Sequence, residues 1–282
     1  MKVVTARADV RAGRAAGRWG FVPTMGYLHE GHLDLVRRAA AESDHVAVSI
    51  FVNPTQFGPT EDLAAYPRDL ERDLRLLEDV GVDLVWTPGV EEVYPAGFAT
   101  AVEVAGVTEM LEGERRPGHF RGVATVVATL LGVVRPDALY IGQKDLQQSV
   151  VLRRMAADLA LVDEVVVCPT RREDDGLAMS SRNTYLDADD RRAALVLSRS
   201  LRAAREAWAA GERDADVLRR AMSDILAAEP RADVDYVSLA DPDTLAELDG
   251  PVERAAASLA VRVGAPRLID NTLLHEDDPT LT

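Results

Sequence analysis

Cysteine is nearly absent from this 282-residue chain: Cys168 stands alone, which excludes an internal disulfide and a multi-cysteine metal site. Positive charge is also scarce. Lys and Arg total 32 against 47 Asp and Glu, for a formal net charge of -15 at pH 7. Such acidity argues against a surface that grips nucleic acid or anionic lipid, because phosphate backbones reward clustered cations. Any anionic ligand must therefore be held by a local constellation set against the global field. Long apolar runs are missing too. The longest, Val123–Val134, is interrupted by Thr125 and Thr129 and is too short to span a bilayer. The opening MKVVTARADVR lacks the apolar stretch and small-residue cleavage site of a secretory signal, so the expectation is a cytoplasmic protein. A G-x-S-x-G nucleophile elbow and a catalytic-cysteine pattern are lacking as well. What is present, 47% apolar and 28% charged residues, suffices for one large domain or two medium ones with a real core.

The first 170 residues alternate short β-like runs with amphipathic helical patterns. The strands expected are Gly20–Pro23, His45–Val52, Val82–Thr87, Ala138–Ile141 and Glu164–Cys168, several of them β-branched and almost continuously apolar, as parallel strands covered on both faces are. Helical patterns lie between them at Gly31–Glu42, Arg68–Val80, Gly122–Val134 and Leu146–Leu159. Strands separated by helices of this length imply βαβ units and an α/β, Rossmann-like doubly wound parallel sheet. After Arg171 a polar turn, Arg172–Gly176, leads to Ala- and Arg-rich helical stretches at Asp187–Ala209 and Arg213–Ala228, then strand-like runs at Val234–Leu239, Ser258–Val263 and Arg267–Ile269. This order reads as a second, smaller α+β domain over 171–282. The tail His275–Thr282 is polar and reads as frayed.

The strongest local signal is Pro23-Thr-Met-Gly-Tyr-Leu-His-Glu-Gly-His32, directly after the first expected strand and opening the first helix. Gly26 and Gly31 allow tight backbone passage, and a helix N-terminus supplies N–H groups and partial positive charge. His29 and His32, three apart, share a face of the first turn. Such imidazoles either cap and pack, or donate to phosphate oxygens and to charge developing during phosphoryl or nucleotidyl transfer. Zinc would need third and fourth ligands that are missing nearby. A second polar segment, Ala178-Met-Ser-Ser-Arg-Asn183, is either a solvated interdomain turn or an anion site, with Ser180 and Ser181 hydroxyls and the fork of Arg182 as donors.

Gly-x-x-His-x-Gly-His resembles the HIGH-type signature of the nucleotidylyltransferase superfamily, whose members bind ATP on a Rossmann-like sheet and cleave it between the α- and β-phosphates. Four further segments, Phe51-Val-Asn-Pro-Thr-Gln-Phe-Gly58, Gly118-His-Phe-Arg-Gly122, Ile141-Gly-Gln-Lys-Asp-Leu-Gln-Gln148 and the MSSRN stretch, sit in order with it. Together with Asp235-Tyr-Val and Arg267-Leu-Ile-Asp-Asn271 they resemble the pantothenate synthetase (pantoate–β-alanine ligase) family over nearly the whole chain. The resemblance implies ATP-dependent condensation of (R)-pantoate with β-alanine through a pantoyl adenylate, with a cytoplasmic homodimer as the working form and small-molecule substrates as the partners. It implies ATP binding by Met25, Gly26, Tyr27, Leu28, His29, Glu30, Gly31 and His32, by Gly142, Gln143, Lys144 and Asp145, and by Arg171, Met179, Ser180, Ser181 and Arg182. His32, His29, Lys144 and Arg182 carry the catalytic roles in that reading. Gln56 and Gln148 bind pantoate, and Gln56 also β-alanine. Neutral amides suit that task, since each offers donors and an acceptor without adding charge. From the superfamily comes the further expectation that the 178–183 loop or the C-terminal domain closes over the nucleotide.

Asn53 is a further candidate contact, and Arg116 and His119 are either lining for the substrate side or an ordered loop. Mg²⁺ accompanies ATP but keeps most of its water, so sequence rarely fixes its ligands. Asp69 and Asp73 lie one turn apart on one helix face, where the family is assigned metal contacts. Arg72 stands where another acid can occur, and the alternative is a solvated helix face. Arg121 in GHFRG adds charge near the expected pocket mouth. Two competing readings are a nucleotidylyltransferase acting on a phosphorylated acceptor and a nucleotide-sensing module. The two glutamines and VNPTQF speak against the first, because a phosphorylated acceptor would call for more Arg or Lys.

Overall fold

The computed structural model describes residues 1–59 and 61–275. They divide into two compact units, Met1–Gln143 with Gln147–Pro169, and Lys144–Leu146 with the chain from Thr170 onward. The first unit runs β1 (Lys2–Val4), α1 (Arg7–Ala12), β2 (Trp19–Thr24), α2 (Glu30–Glu42), β3 (His45–Ile50), α3 (Leu70–Asp79), β4 (Leu84–Trp86), the short α4 (Val90–Val93) and α5 (Glu112–Arg115), α6 (His119–Val134), β5 (Ala138–Gly142), α7 (Leu146–Asp158, its first residue clustering with the second unit) and β6 (Glu164–Cys168). A single turn of 3₁₀ helix at Pro54–Gln56 follows β3, and another at Gln143–Asp145 follows β5.

All six strands are parallel, in the order β1-β4-β3-β2-β5-β6. Alternate residues feed opposite cores, which is why these strands read as unbroken apolar runs. Phe21, Ala47, Trp86 and Leu139 join α6 residues Val123, Val127, Leu130 and Leu131 on one face. Val22, Val48, Val85 and Tyr140 join Leu33, Val36 and Ala39 of α2 and Leu77 of α3 on the other. The winding reverses between β2 and β5, which pair through Gly20–Ala138 and Phe21–Leu139. In open α/β sheets the crevice beyond the carboxyl ends of the strands at such a reversal is where ligands bind. The PTMGYLHEGH segment leaves β2 there, and Gly142-Gln143 leaves β5.

The structure adds β1 and α1, which carry no periodic signal of their own. It also explains the threonine that interrupts α6. Thr125 Oγ1 accepts from Val102 N (2.9 Å), tying the long segment before α5 to the core. Buried Gln147 completes that tie: its Nε2 donates to Val107 O (2.9 Å) and Met110 O (2.8 Å), and its Oε1 accepts from Glu112 N (2.9 Å). A segment without a ladder must place its backbone groups somewhere, and here buried side chains take them.

The second unit holds a 3₁₀ turn at Ser181–Tyr185, α8 (Ala188–Ala209), α9 (Ala215–Ala227) and an antiparallel sheet of β7 (Ala232–Ala240), β8 (Ala255–Val263) and β9 (Arg267–Leu274) in that order. Asp187 and Asp214 cap the two helices by accepting from backbone N–H groups. Leu197, Leu201, Trp208, Leu218, Met222, Leu226, Leu259 and Val261 form its core. His275 is described, and the rest of the tail lies outside the described residues.

Two glycines of α6 give opposite expectations. A Cβ at Gly122 would stand 2.4 Å from Thr55 O, whereas one at Gly132 meets nothing within 4 Å. Helix propensity favours Ala over Gly by about 0.5–1 kcal/mol, so Gly132→Ala should raise the unfolding midpoint in urea. At Gly122 the clash with backbone wins, and Gly122→Ala should lose about 1–3 kcal/mol. Equal shifts in the two variants would refute this account of how α6 packs on the Pro54–Gln56 turn.

Candidate functional site

The β2–α2 loop is strained. Gly26 takes φ +82° and Tyr27, a residue with a side chain, takes φ +51°, a conformation costing roughly 1–2 kcal/mol. Asp73 of α3 holds it there. The carboxylate, 1% exposed, accepts from Tyr27 N at Oδ2 and from Leu28 N at Oδ1, both at 2.7 Å. Arg72 reinforces the grip: Nη1 donates to Leu28 O (2.8 Å) and its guanidinium lies 5.4 Å from the Tyr27 ring centroid. Hydrogen bonds to a charged group contribute about 1.5–3 kcal/mol each, enough to outweigh the strain. Burial pushes the Asp73 carboxyl above its usual range, against the pull of the Leu28 and Tyr27 N–H groups and of Arg72.

This overturns the solvated-face reading for Asp73 and also spends the carboxylate that a metal would need. Asp69 is likewise occupied, capping α3 by accepting from Arg72 N (3.0 Å). Among the described residues, no group of three His, Cys, Asp or Glu side chains is placed to hold a metal ion.

The loop delivers two imidazoles at the start of α2, their ring centroids 4.0 Å apart. His29 N donates to His32 Nδ1 (3.3 Å), which fixes the neutral His32 ring with its proton on Nε2. At the head of the same loop, Met25 Sδ lies 3.3 Å from Gln56 Nε2. The orientation of that amide follows from a chain of bonds. Tyr94 OH donates to Asn53 Oδ1 (2.7 Å), so Asn53 Nδ2 is the donor to Gln56 Oε1 (2.9 Å) and to Gly122 O (3.2 Å). Gln56 therefore presents its NH₂ donors. Asn53, 1% exposed, has both ends of its amide engaged and orients Gln56. Arg116 Nη1 and Gln56 O flank the His119 ring at 3.0 and 2.9 Å. Arg121 pairs with Glu103 at 3.0 Å on the surface. Gly142, Gln143 and half-buried Gln148 belong to this same unit.

The remaining sequence-derived residues belong to the second unit. Asn271 Nδ2 donates to Lys144 O (2.8 Å), and the preceding Asp270, buried, receives Arg172 in a fork at 2.7 and 3.0 Å. Met179 N bonds Arg171 O (2.9 Å). Glu173 accepts from Asn183 Nδ2 (2.8 Å) and Arg191 Nη2 (2.7 Å). Burial raises the Glu173 pKa, but Arg191 and Asn183 outweigh it and hold the group below its usual range. Ser180 Oγ accepts from Arg182 N (3.3 Å), starting the 3₁₀ turn. One anchor on β9 thus fixes Lys144, and a braced hairpin carries Met179–Arg182. The Lys144 ammonium makes a loose contact with Asp145 at 3.8 Å. Sequence reading missed Tyr94, Glu61, whose carboxylate accepts the Arg116 fork at 2.7 and 2.8 Å, and the roles of Asp73 and Asn271. A polar Asp-Asn pair following Leu268-Ile269 in β9 was the one available signal.

Two stability tests follow. In Asp73→Asn one of the two loop N–H groups loses its acceptor, so unfolding free energy should drop by about 1–3 kcal/mol, with faster amide exchange at Tyr27 and Leu28. Unchanged exchange there would remove the clamp. His119 is held neutral, its pKa lowered to about 4 first by burial and then by Arg116. An unfolded chain binds a proton near pH 6.5, so stability is full above that value and falls as pH drops towards 4, by about 3 kcal/mol in total. Chemical unfolding at pH about 7.5 and about 4.5 should show this loss in the parent and not in His119→Phe.

The family model described as pantoate-beta-alanine ligase matches residues 1–273. Pantothenate synthetases of Roseiflexus sp. (strain RS-1) and Herpetosiphon aurantiacus are 61% and 59% identical over 277 and 278 residues, covering 98% and 97% of this chain and 100% of each relative. A crystal structure of pantothenate synthetase from Thermus thermophilus aligns with TM-score 0.95 at 51% identity, over 98% of this chain and all of that one. The Francisella tularensis pantoate-beta-alanine ligase, complexed with beta-gamma ATP and beta-alanine, aligns with TM-score 0.79 at 34% identity over 97% of both chains. With the Rossmann-like sheet, the paired imidazoles and the oriented glutamine in place, these likenesses put the chain in the pantoate–β-alanine ligase family.

Proposed function

We propose that this chain condenses (R)-pantoate with β-alanine in two steps, forming a pantoyl adenylate with release of pyrophosphate and then pantothenate with release of AMP. The observation that carries the reading is the contact of Gln56 Nε2 with Met25 Sδ at 3.3 Å. It sets an amide that donates to carboxylate or hydroxyl oxygens against the head of the loop that leads to His29 and His32. A carboxylate is a poor acyl donor because oxide would have to leave, and adenylation gives it a good leaving group. The attacking oxygen and the α-phosphate must therefore meet, and adjacent sites for acid and nucleotide are what that step needs.

In this reading Met25–His32, Gly142, Gln143, Lys144, Asp145, Arg171 and Met179–Arg182 bind the nucleotide. His32 donates from Nε2 to phosphate oxygens as charge builds, and His29 stands beside it. Lys144 supplies a compact positive charge, and Arg182 a fork of donors. Asp145 accepts from ribose hydroxyls. Gln56 and Gln148 hold pantoate, and Gln56 serves β-alanine in the second step. Mg²⁺ would accompany the phosphates of ATP and keep most of its water, and no step is assigned to it. The ATP and β-alanine named for the Francisella relative support both ligands here. By the same resemblance the working form is a cytoplasmic homodimer, which light scattering tests.

Labelled pyrophosphate should exchange into ATP in the presence of pantoate without β-alanine. A folded sample that shows no pantoate-dependent exchange would overturn the proposal. His32→Ala should lower kcat by on the order of 10²-fold or more, the effect of removing a preorganised donor, with the unfolding midpoint retained.

A further inference from the structure

Gln56 is held by its main chain as well as by its amide. His119, the first residue of α6, contacts the Gln56 carbonyl through Nδ1 at 2.9 Å, and its Nε2 faces Arg116 Nη1 at 3.0 Å. Arg116 can only donate and a carbonyl can only accept, so the ring must be neutral with its proton on Nδ1. Glu61 holds the Arg116 fork through Nε–Oε1 at 2.7 Å and Nη2–Oε2 at 2.8 Å. Arg116 thus donates both to the Glu61 carboxylate and to the imidazole, and the imidazole donates in turn to the Gln56 carbonyl. The charged groups acting on the ring are Arg116, Glu61 and Glu112, and the Phe120 ring packs 5.0 Å away. The 3₁₀ turn that carries Gln56 is three residues long, and its closing bond, Phe57 N to Pro54 O, is stretched to 3.4 Å. Such a turn does not fix its last carbonyl unaided.

We propose that Glu61, Arg116 and His119 form a positioning relay that sets the main chain of Gln56 and thereby aims its amide at pantoate. None of the three touches a reacting atom. The inference rests on the pantoate reading of Gln56. Its chemistry explains the residue types: an imidazole that both accepts and donates converts the donor-only Arg116 into a donor for a carbonyl beyond its reach, and Glu61 prevents Arg116 from swinging towards an anionic substrate. A shift of about 1 Å in a positioned group costs on the order of 10²-fold in rate, so the relay has room to act through substrate affinity.

The test is the KM for pantoate and for ATP, and kcat, in full-length His119→Phe, His119→Asn, Arg116→Lys, Glu61→Gln and Gln56→Ala, with thermal unfolding as the control for folding. His119→Phe should raise the pantoate KM by about tenfold or more while the ATP KM stays within about twofold. His119→Asn keeps a donor near the Nδ1 position and should recover most of the loss. If His119→Phe does not fold, Arg116→Lys and Glu61→Gln decide: a raised pantoate KM supports the relay and an unchanged one overturns it. It is also overturned if a folded His119→Phe keeps its pantoate KM, if pantoate and ATP KM rise together, or if Asn is no better than Phe. An unchanged pantoate KM in Gln56→Ala removes the pantoate reading itself and the relay with it. A raised one there beside an unchanged one in His119→Phe removes the relay alone.

Discussion

A buried carboxylate that takes two backbone N–H groups is the constraint on which the first unit's site depends. Asp73 comes from α3, while the groups it holds belong to the β2–α2 loop some 45 residues earlier. That loop must turn sharply enough to start α2 with both imidazoles in its first turn, and it does so through two successive positive φ angles. Gly26 adopts its angle without strain. A Cβ at that position would approach Ile50 and Asp73 at 3.0 and 3.1 Å, so the clamp sets the residue type as well as the backbone. Tyr27 is strained, and the two charged hydrogen bonds outweigh that strain. With these N–H groups committed inside the protein, a phosphate would meet the first turn of α2 and the rings of His29 and His32.

The same logic, in which a polar group is spent to fix another, recurs across the molecule. Asn53 exhausts its amide to orient Gln56. Gln147, next to the half-buried Gln148, is wholly engaged with the backbone at 107–112. Asn271 reaches back to the carbonyl of Lys144. Gln147 and Gln148 differ in burial because successive positions on a helix point in different directions.

Much of the fold was legible because the sheet is parallel and covered on both faces, which leaves long β-branched runs such as His45–Ile50 and Glu164–Cys168 between amphipathic helices. Its boundaries were less so. β8 extends back over Ala255–Ala257, residues with little strand preference, and β9 extends over Asp270–Asn271, where polar side chains mask a strand whose partners lie elsewhere in the second unit. The candidate site was legible as motifs because glycines, histidines and amides carry chemical meaning at short spacing. Asp73 was not: paired with Asp69 at helical spacing it reads as a solvated face or a metal ligand, and only the tertiary approach of α3 shows it as an anchor. Arg72 is explained by the same contact, since a cation over Tyr27 that donates to Leu28 O reinforces the loop where a further acid would repel Asp73.

Net charge poses a last question, since a chain at -15 is proposed to bind a triphosphate and a carboxylic acid. The distribution of pairs supplies an answer. Arg116 is forked on Glu61, Arg172 on Asp270, and Arg191 on Glu173 and Asp175. These arginines build the scaffold, and their charges are locally cancelled. The Lys144 ammonium, by contrast, stands 3.8 Å from an exposed Asp145 carboxylate, a weak pairing at the surface that an arriving phosphate can outcompete. In the proposed reading the acid itself is met by neutral amides. A further fixed cation beside Gln56 would bind pantoate and its adenylate alike, deepening the ground state without favouring the transition state. An amide oriented by Asn53 contributes direction with little charge, and that suits a site in which the charge to be stabilised develops on the phosphate.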